Sequence, residues 1–315
     1  MSEKYYAAID LGTNSCRLVI SDQHGNYVYN QSAATRLGEG MSEHNCFTAE
    51  AVERGIKALK EFGDLIKESN CKYRAVATAA CRMATNGAAF VERVKKECGI
   101  ELEVINGEEE ARLNLVGALA NADKNKPYIF IYDIGGGSTE MTLARCDNAE
   151  IIQTVSIPWG ARNASEKFLI NDYDEITAEK FEREILKYTS EFKKKCDFEK
   201  YKGKISFVAT SSTPLRLSSY IHHRQKYNRE AEDGCRITAE QIEQALSEIY
   251  QTKEQERAAS IYIGVKRAPI FVAGSLLLKT INREFEIKEL IASYKSAKDS
   301  IIMELINEDK NGTSD

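Results

Sequence analysis

The chain contains two glycine-rich turns of the same kind, and each follows an aspartate at the end of an apolar strand. The first lies in the segment 7–15, AAIDLGTNS, and the second in the segment 129–140, IFIYDIGGGSTE. Glycine lets the backbone approach a ligand closely, and such turns point N–H groups and Ser/Thr hydroxyls at an anion. We therefore expect two facing loops that bind a phosphate chain in a cleft between two halves of the protein.

Length and charge restrict the possibilities further. A chain of 315 residues is expected to form two domains, because a single core stops growing near ~250–300 residues. No apolar run approaches the ~20 residues that span a membrane. The first strand begins so close to Met1 that no room is left for a signal peptide, and we expect a cytoplasmic protein. The net charge of −5 weighs against general nucleic-acid binding but permits an anionic substrate.

The eight cysteines are scattered singly along the chain, with no CxxC pair. Paired cysteines are typical of zinc sites, and disulfides are typical of secreted proteins. We therefore expect reduced cysteines and no zinc site.

The order of predicted elements indicates a duplicated α/β fold with mixed sheets. Each half begins with three strands and continues with alternating helices and strands. The polar segment 121–127 gives two domains, 1–124 and 125–315, and the last helix of the second can pack back on the first. Within the second domain, the pattern predicts a buried strand at 270–273, a helix at 275–284 and a final helix at 293–307.

Five segments, in the same order along the chain, resemble the Ppx/GppA family of exopolyphosphatases and guanosine pentaphosphate phosphohydrolases. These are 35–40 (TRLGEG), 76–87 (VATAACRMATNG), 105–113 (INGEEEARL), 133–140 (DIGGGSTE) and 158–162 (PWGAR). The resemblance implies two actin-like (ribonuclease H-like) domains with an interdomain cleft. Beyond about residue 165 the match thins, because 209–214 lacks the glycines of the family's turn and 293–300 keeps little of a family string.

The resemblance places the family's catalytic glutamate at Glu110, with Asp133 in the catalytic set. The residues themselves agree in part, because Glu108, Glu109 and Glu110 begin a helix after a glycine. Acidic residues in this position also complement the helix dipole without any catalytic role. Glu109 is the nearer alternative for the base.

Carboxylates beside a polyanion suggest magnesium, and Asp10, Asp133 and Glu140 are the candidate ligands. The alternative for each aspartate is a turn residue that accepts local backbone N–H groups. Arg82 suits bidentate phosphate contact, while Arg17 is a weaker candidate cation. The candidate phosphate-binding residues are Asn14, Ser15, Arg82, Gly136, Gly137, Ser138 and Thr139.

These features favour an exopolyphosphatase that releases orthophosphate from inorganic polyphosphate with Mg2+ and a glutamate-activated water. A second possibility is hydrolysis of guanosine pentaphosphate (pppGpp) at its 5′ γ-phosphate. A third is a sensor that binds polyphosphate or an alarmone without turnover, and a fourth is an actin-like kinase or ATPase. The resemblance also makes a homodimer plausible.

Overall fold

The computed structural model describes residues 4–311. The expectation that the first residues leave no room for a signal peptide lies partly outside this range. Its strands are β1 (Tyr6–Leu11), β2 (Cys16–Ser21), β3 (Tyr27–Ala33), β4 (Lys72–Ala77), β5 (Leu102–Val104), β6 (Tyr128–Ile134), β7 (Thr139–Arg145), β8 (Ile151–Ile157), β9 (Ile205–Thr210), β10 (Arg236–Thr238) and β11 (Glu289–Ser293).

The helices alternate with the later strands in each half. They are α1 (Met41–His44), α2 (Ala49–Glu68), α3 (Ala79–Met83), α4 (Gly87–Cys98), α5 (Gly107–Ala118), α6 (Ala161–Phe168), α7 (Glu175–Lys195), α8 (Ser212–Ile221), α9 (Ala239–Ile249), α10 (Glu254–Ala259), α11 (Ala268–Glu284) and α12 (Ala297–Asn311).

The chain divides into two compact units. The first runs to Gly117 and resumes at Ala297, and the second runs from Ala118 to Ser296. The structural boundary thus precedes the boundary drawn from sequence at 124, and α12 returns to the first unit, as the sequence analysis allowed for the last helix.

The sheet of the first unit has the order β3-β2-β1-β4-β5. Strands β1 and β2 are antiparallel, whereas β4 runs parallel to β1 and β5 parallel to β4. Helix α2 packs on one face of this sheet. Its N-cap is Thr48, whose Oγ1 accepts a hydrogen bond from the N–H of Ala51 at 3.2 Å. Helix α12 covers the other face, where Ile301 and Leu305 are buried near Ala8 of β1.

The second unit repeats this plan in a six-stranded sheet of order β10-β11-β9-β6-β7-β8. Its first three strands, β6 to β8, form antiparallel pairs, and β9 then runs parallel to β6. The predicted α/β class, the duplication and the mixed sheets are therefore confirmed.

Two predictions in the second unit are wrong. Residues 270–273 belong to α11, which begins at Ala268 with a proline in its first turn, and not to a strand. This helix is buried along most of its length, so its apolar run has no polar face that would reveal helical periodicity. The segment predicted as the start of the last helix, at Ser293, instead ends strand β11.

The eight cysteines all carry free thiols, as expected. Among residues 4–311 no helix has both the length and the apolar character needed to cross a bilayer.

Candidate active site

The first glycine turn connects β1 to β2 and is closed by a hydrogen bond from the N–H of Gly12 to the carbonyl of Ser15, at 3.0 Å. Asp10 precedes the turn, and its cross-strand neighbour is Arg17. Directly opposed residues of antiparallel strands point to the same face. Accordingly, Nη1 of Arg17 lies 3.4 Å from Oδ2 of Asp10, which gives this carboxylate a cationic partner.

The segment 35–39 supports the first turn from outside. The N–H of Arg36 donates to the carbonyl of Asn14 at 3.1 Å, and the N–H of Gly38 donates to the carbonyl of Thr13 at 2.9 Å. Glu39 forms an ion pair with Arg54 at 2.7 Å. The TRLGEG segment therefore shapes the turn through its backbone.

The carboxyl ends of β1, β4 and β5 meet at one edge of the first sheet. Leu11 is the register partner of Ala77, and Ala77 is the partner of Val104. Arg82 follows β4 on α3, and Glu110 follows β5 on α5. The fold of the first unit thus brings both side chains to the edge that carries the first glycine turn.

Arg82 and Glu110 form a partly buried ion pair at this edge. Nη1 of Arg82 lies 2.7 Å from Oε2 of Glu110 and also donates to the carbonyl of Ile105 at 2.8 Å. Glu110 is only 7% exposed. Within residues 4–311, Nε and Nη2 of Arg82 make no hydrogen bond, so donors remain for a ligand.

Glu109 has different surroundings, although it is adjacent in sequence. It accepts hydrogen bonds from Arg112 at 2.7 Å and from Arg74 at 3.0 Å. The bond from Arg112, and then that from Arg74, lowers the pKa of Glu109 from 4.5 to about 2, against the opposing effect of burial. A carboxylate of such low pKa is a poor general base, which disfavours Glu109 as the alternative.

The second glycine turn connects β6 to β7 and has the same closure, with the N–H of Gly135 donating to the carbonyl of Ser138 at 2.9 Å. The start of α6 supports it. The N–H groups of Ala161 and Arg162 donate to the carbonyls of Gly135 and Gly136, each at 2.9 Å. Because its carbonyls bind α6, the turn can present its N–H groups to a ligand.

Asp133 and Glu140 face one another across this second turn as register partners of β6 and β7. Glu140 is buried, and its Oε1 accepts a hydrogen bond from Ser156 at 2.9 Å. The two carboxylates therefore lie on one face of the hairpin. Their oxygen donors suit a hard cation, so the residues fit Mg2+.

Lys298 is a residue that the sequence analysis missed. Its side chain is 0% exposed, and its Nζ lies 2.6 Å from Oδ2 of Asp299, while Oδ1 of the same carboxylate accepts a hydrogen bond from the Tyr27 hydroxyl. Burial lowers the pKa of Lys298. The charge of Arg17 lowers this pKa as well, whereas the charge of Asp10 raises it. The available signal was the string 293–300, which the sequence analysis noted only for its departure from the family.

The predicted site residues thus fall into two sets. The first unit holds Asp10, Asn14, Ser15, Arg82 and Glu110 at one sheet edge. The second unit holds Asp133, Gly136, Gly137, Ser138, Thr139 and Glu140 on one hairpin.

Comparison with known proteins identifies the family of the chain. A model of the Ppx/GppA phosphatase family matches residues 18–309. The chain belongs to the Ppx/GppA phosphatase family. Its membership confirms the resemblance drawn from the five segments.

One curated protein and two solved structures are similar to most of this chain. It is 29% identical over 294 residues to the bifunctional 3-dehydroquinate synthase/phosphatase of Fusobacterium nucleatum; the match covers 87% of this chain and 42% of that protein, so the chain spans less than half of this relative. The structure of the Aquifex aeolicus Ppx/GppA family member has a TM-score of 0.81 and 26% identity, with 100% of both chains covered. An exopolyphosphatase from Cytophaga hutchinsonii shares the fold, with a TM-score of 0.85 and 23% identity over 97% of this chain and 98% of that one.

Proposed function

We propose that the chain is an exopolyphosphatase that hydrolyses the terminal phosphoanhydride bonds of inorganic polyphosphate and releases orthophosphate. The observation that carries this proposal is the partly buried Arg82–Glu110 pair, 2.7 Å apart, at the sheet edge that also bears the first glycine turn. Family membership supports a phosphatase, and the structural relative from Cytophaga hutchinsonii is named an exopolyphosphatase.

In this proposal Glu110 is the general base. Arg82 holds Oε2 of Glu110 and fixes the carboxylate, which would accept a proton from the attacking water. The remaining N–H groups of Arg82 would bind phosphoryl oxygens, where negative charge is concentrated in phosphoryl transfer. One arginine would then position the base and neutralise the substrate.

The two glycine turns would bind phosphate oxygens with N–H groups and hydroxyls. Such contacts carry no base specificity and therefore suit a simple phosphate chain. The residues proposed for this role are Asn14, Ser15, Gly136, Gly137, Ser138 and Thr139.

We propose Mg2+ as the cofactor, held by Asp133 and Glu140, with Asp10 as a third candidate. When bound, the ion would neutralise phosphate charge. Asp133 remains a candidate catalytic residue because it would hold this ion. Asp10 fits less well than the other two because Arg17 already lies beside it.

The decisive experiment is Glu110→Gln, assayed for phosphate release from long-chain polyphosphate and from guanosine pentaphosphate in parallel. Loss of the base should reduce turnover about 10²–10⁴-fold while polyphosphate binding survives. Glu108→Gln is the matched control, because Glu108 lies on the first turn of the same helix but is exposed. Full turnover by Glu110→Gln would exclude the proposed mechanism.

The same assay separates the alternative functions. Faster release from guanosine pentaphosphate than from polyphosphate would favour the 5′-phosphohydrolase. Binding of polyphosphate with no release from either substrate, by the unmodified protein with Mg2+, would favour a non-catalytic sensor.

A further inference from the structure

A second cluster of reactive side chains lies in the second unit, in the segment 222–235 between α8 and β10. This segment contains no helix or strand, and irregular connections of this length are uncommon in compact domains without a function or a stabilising device. Potential metal ligands from His222, Glu232 and Cys235 lie within 4.8 Å of one another. The expectation of no zinc site rested on the absence of paired cysteines, whereas this cluster combines one cysteine with a histidine and a glutamate.

The three ligand atoms are well placed for one ion. Nδ1 of His222 lies 3.6 Å from Oε2 of Glu232, close to the separation of two ligands that each lie ~2.0–2.2 Å from a tetrahedral zinc. Glu232 is 0% exposed, so its charge must be compensated inside the protein. Sulfur, imidazole nitrogen and a carboxylate together suit zinc better than magnesium or calcium.

Neighbouring side chains hold Glu232 in a defined orientation. Nε of Arg224 donates to Oε1 at 2.9 Å, which leaves Oε2 directed towards His222. Ser218 donates to that Oε2 at 2.8 Å. Such outer contacts typically orient metal ligands. Oγ of Ser218 also lies 3.2 Å from Nδ1 of His222, so an ion would take the place that this hydroxyl holds between the two ligand atoms.

Cys235 is also held in place. Its carbonyl accepts a hydrogen bond from the N–H of Ala292 at 2.9 Å, which anchors it to β11. Nη2 of Arg224 donates to Sγ at 3.6 Å, and Sγ donates to the carbonyl of Ala231 at 3.4 Å. His222 is partly exposed, and this leaves a path for an ion from solvent.

We propose that His222, Glu232 and Cys235 bind a zinc ion that ties the 222–235 segment to the end of α8. Binding forms the Sγ–Zn bond as the Cys235 thiol releases its proton to solvent. Water completes the coordination, and the ion stabilises the second unit. This site is separate from the proposed Mg2+ site and does not depend on the proposed hydrolase.

The test uses the full-length chain, purified with a reductant and stripped of metal. Zinc is titrated against a chromophoric chelator, and cobalt is added to a second sample. We expect one zinc per chain, a thiolate-to-cobalt charge-transfer band and a higher Tm with zinc. Absence of both the stoichiometric zinc and the cobalt band in the unmodified chain would overturn the proposal without any variant.

Variants identify the ligands. Cys235→Ser and His222→Gln should weaken zinc binding by more than the roughly 10–100-fold typical for loss of an outer-shell partner. Cys146→Ser, another partly buried free cysteine of the same unit, should leave it unchanged. Equal loss in Cys146→Ser, or no loss in Cys235→Ser, would assign the zinc elsewhere and refute the site.

Discussion

The two glycine turns have the same backbone but different partners for their aspartates. Each is closed by a hydrogen bond from the glycine N–H to the serine carbonyl three residues later, at 3.0 Å in the first and 2.9 Å in the second. Across the hairpin, Asp10 faces Arg17, whereas Asp133 faces Glu140. The duplicated geometry therefore carries opposite charge arrangements.

This difference shows that one backbone design can serve two electrostatic roles. In the first turn, the protein itself supplies the cation beside the carboxylate. In the second turn, the register partner of Asp133 is a second carboxylate, Glu140, and not a cation. The magnesium proposal accordingly rests more on Asp133 and Glu140 than on Asp10.

The supports of the turns differ as well. The first is held by backbone N–H groups of a loop, 35–39, and the second by the N-terminus of helix α6. The side chain of Asn163 adds a hydrogen bond to the carbonyl of Gly137 at 2.8 Å. We expect the second turn to be the less tolerant of changes in its support.

The largest expected effect is that of Gly160→Ala. An added Cβ would lie 2.6 Å from the carbonyl oxygen of Gly135 and 2.7 Å from the N of Gly137, and backbone atoms cannot move aside cheaply. We expect a loss of about 3 kcal/mol in the free energy of unfolding, measured by urea denaturation.

Gly38→Ala is the matching change at the first turn. There the added Cβ would meet Cγ2 of Thr13 at 2.2 Å, a side-chain methyl. We expect a loss of about 1–2 kcal/mol, largely recovered by adding Thr13→Ser, which removes that methyl. A greater loss at Gly38 than at Gly160 would contradict the ranking of the two supports.

The next prediction concerns the affinity of the protein for magnesium. Asp133→Asn or Glu140→Gln should weaken Mg2+ binding at least about tenfold in calorimetric titration, as loss of a metal-site group does. Asp10→Asn should have a smaller effect because Arg17 already compensates that carboxylate. Asp147→Asn, at an exposed acid beyond β7, is the control. A larger effect at Asp10 would reverse the assignment.

The turn after β9 offers a test of whether its backbone conformation requires glycine. Ser211 has φ 92° and ψ −175°, a region that essentially only glycine occupies, and its hydroxyl is buried with no partner within the described chain. Ser211→Gly should stabilise the protein by about 1 kcal/mol in urea unfolding, because relief of strain exceeds the entropy lost to the flexible glycine.

Ser212→Gly is the control for this change, since residue 212 begins α8. Glycine in a helix is unfavourable, so this neighbour should lose stability. Equal effects of the two substitutions would show that the Ser211 backbone is unstrained.

The smallest expected effect is the pH dependence contributed by Glu109. Its pKa falls from 4.5 to about 2 on folding, so the contribution is complete above pH 4.5 and disappears as pH falls through about 2. Glu109→Gln should therefore lower Tm at pH 7, and the difference from the unmodified protein should shrink as the solution is acidified. A difference that grows at low pH would have the wrong sign.

Much of the fold followed from local patterns. The glycine turns were predicted from contiguous residues, because turns depend on neighbours in the chain. Helix α11 was misassigned at 270–273 because burial on nearly all sides removes the periodic signal. Strand β11 is short and escaped prediction for lack of alternation.

The sequence by itself determined the two Asp-Gly turns, the duplicated α/β plan and the family, since each is written in contiguous residues. Only the tertiary structure decided which charges meet. It paired Arg82 with Glu110 rather than with Glu109, buried Lys298 beside Asp299, and gathered His222, Glu232 and Cys235. The reason is that a turn is specified by its own residues, whereas the partner of a charged side chain depends on which elements fold beside it.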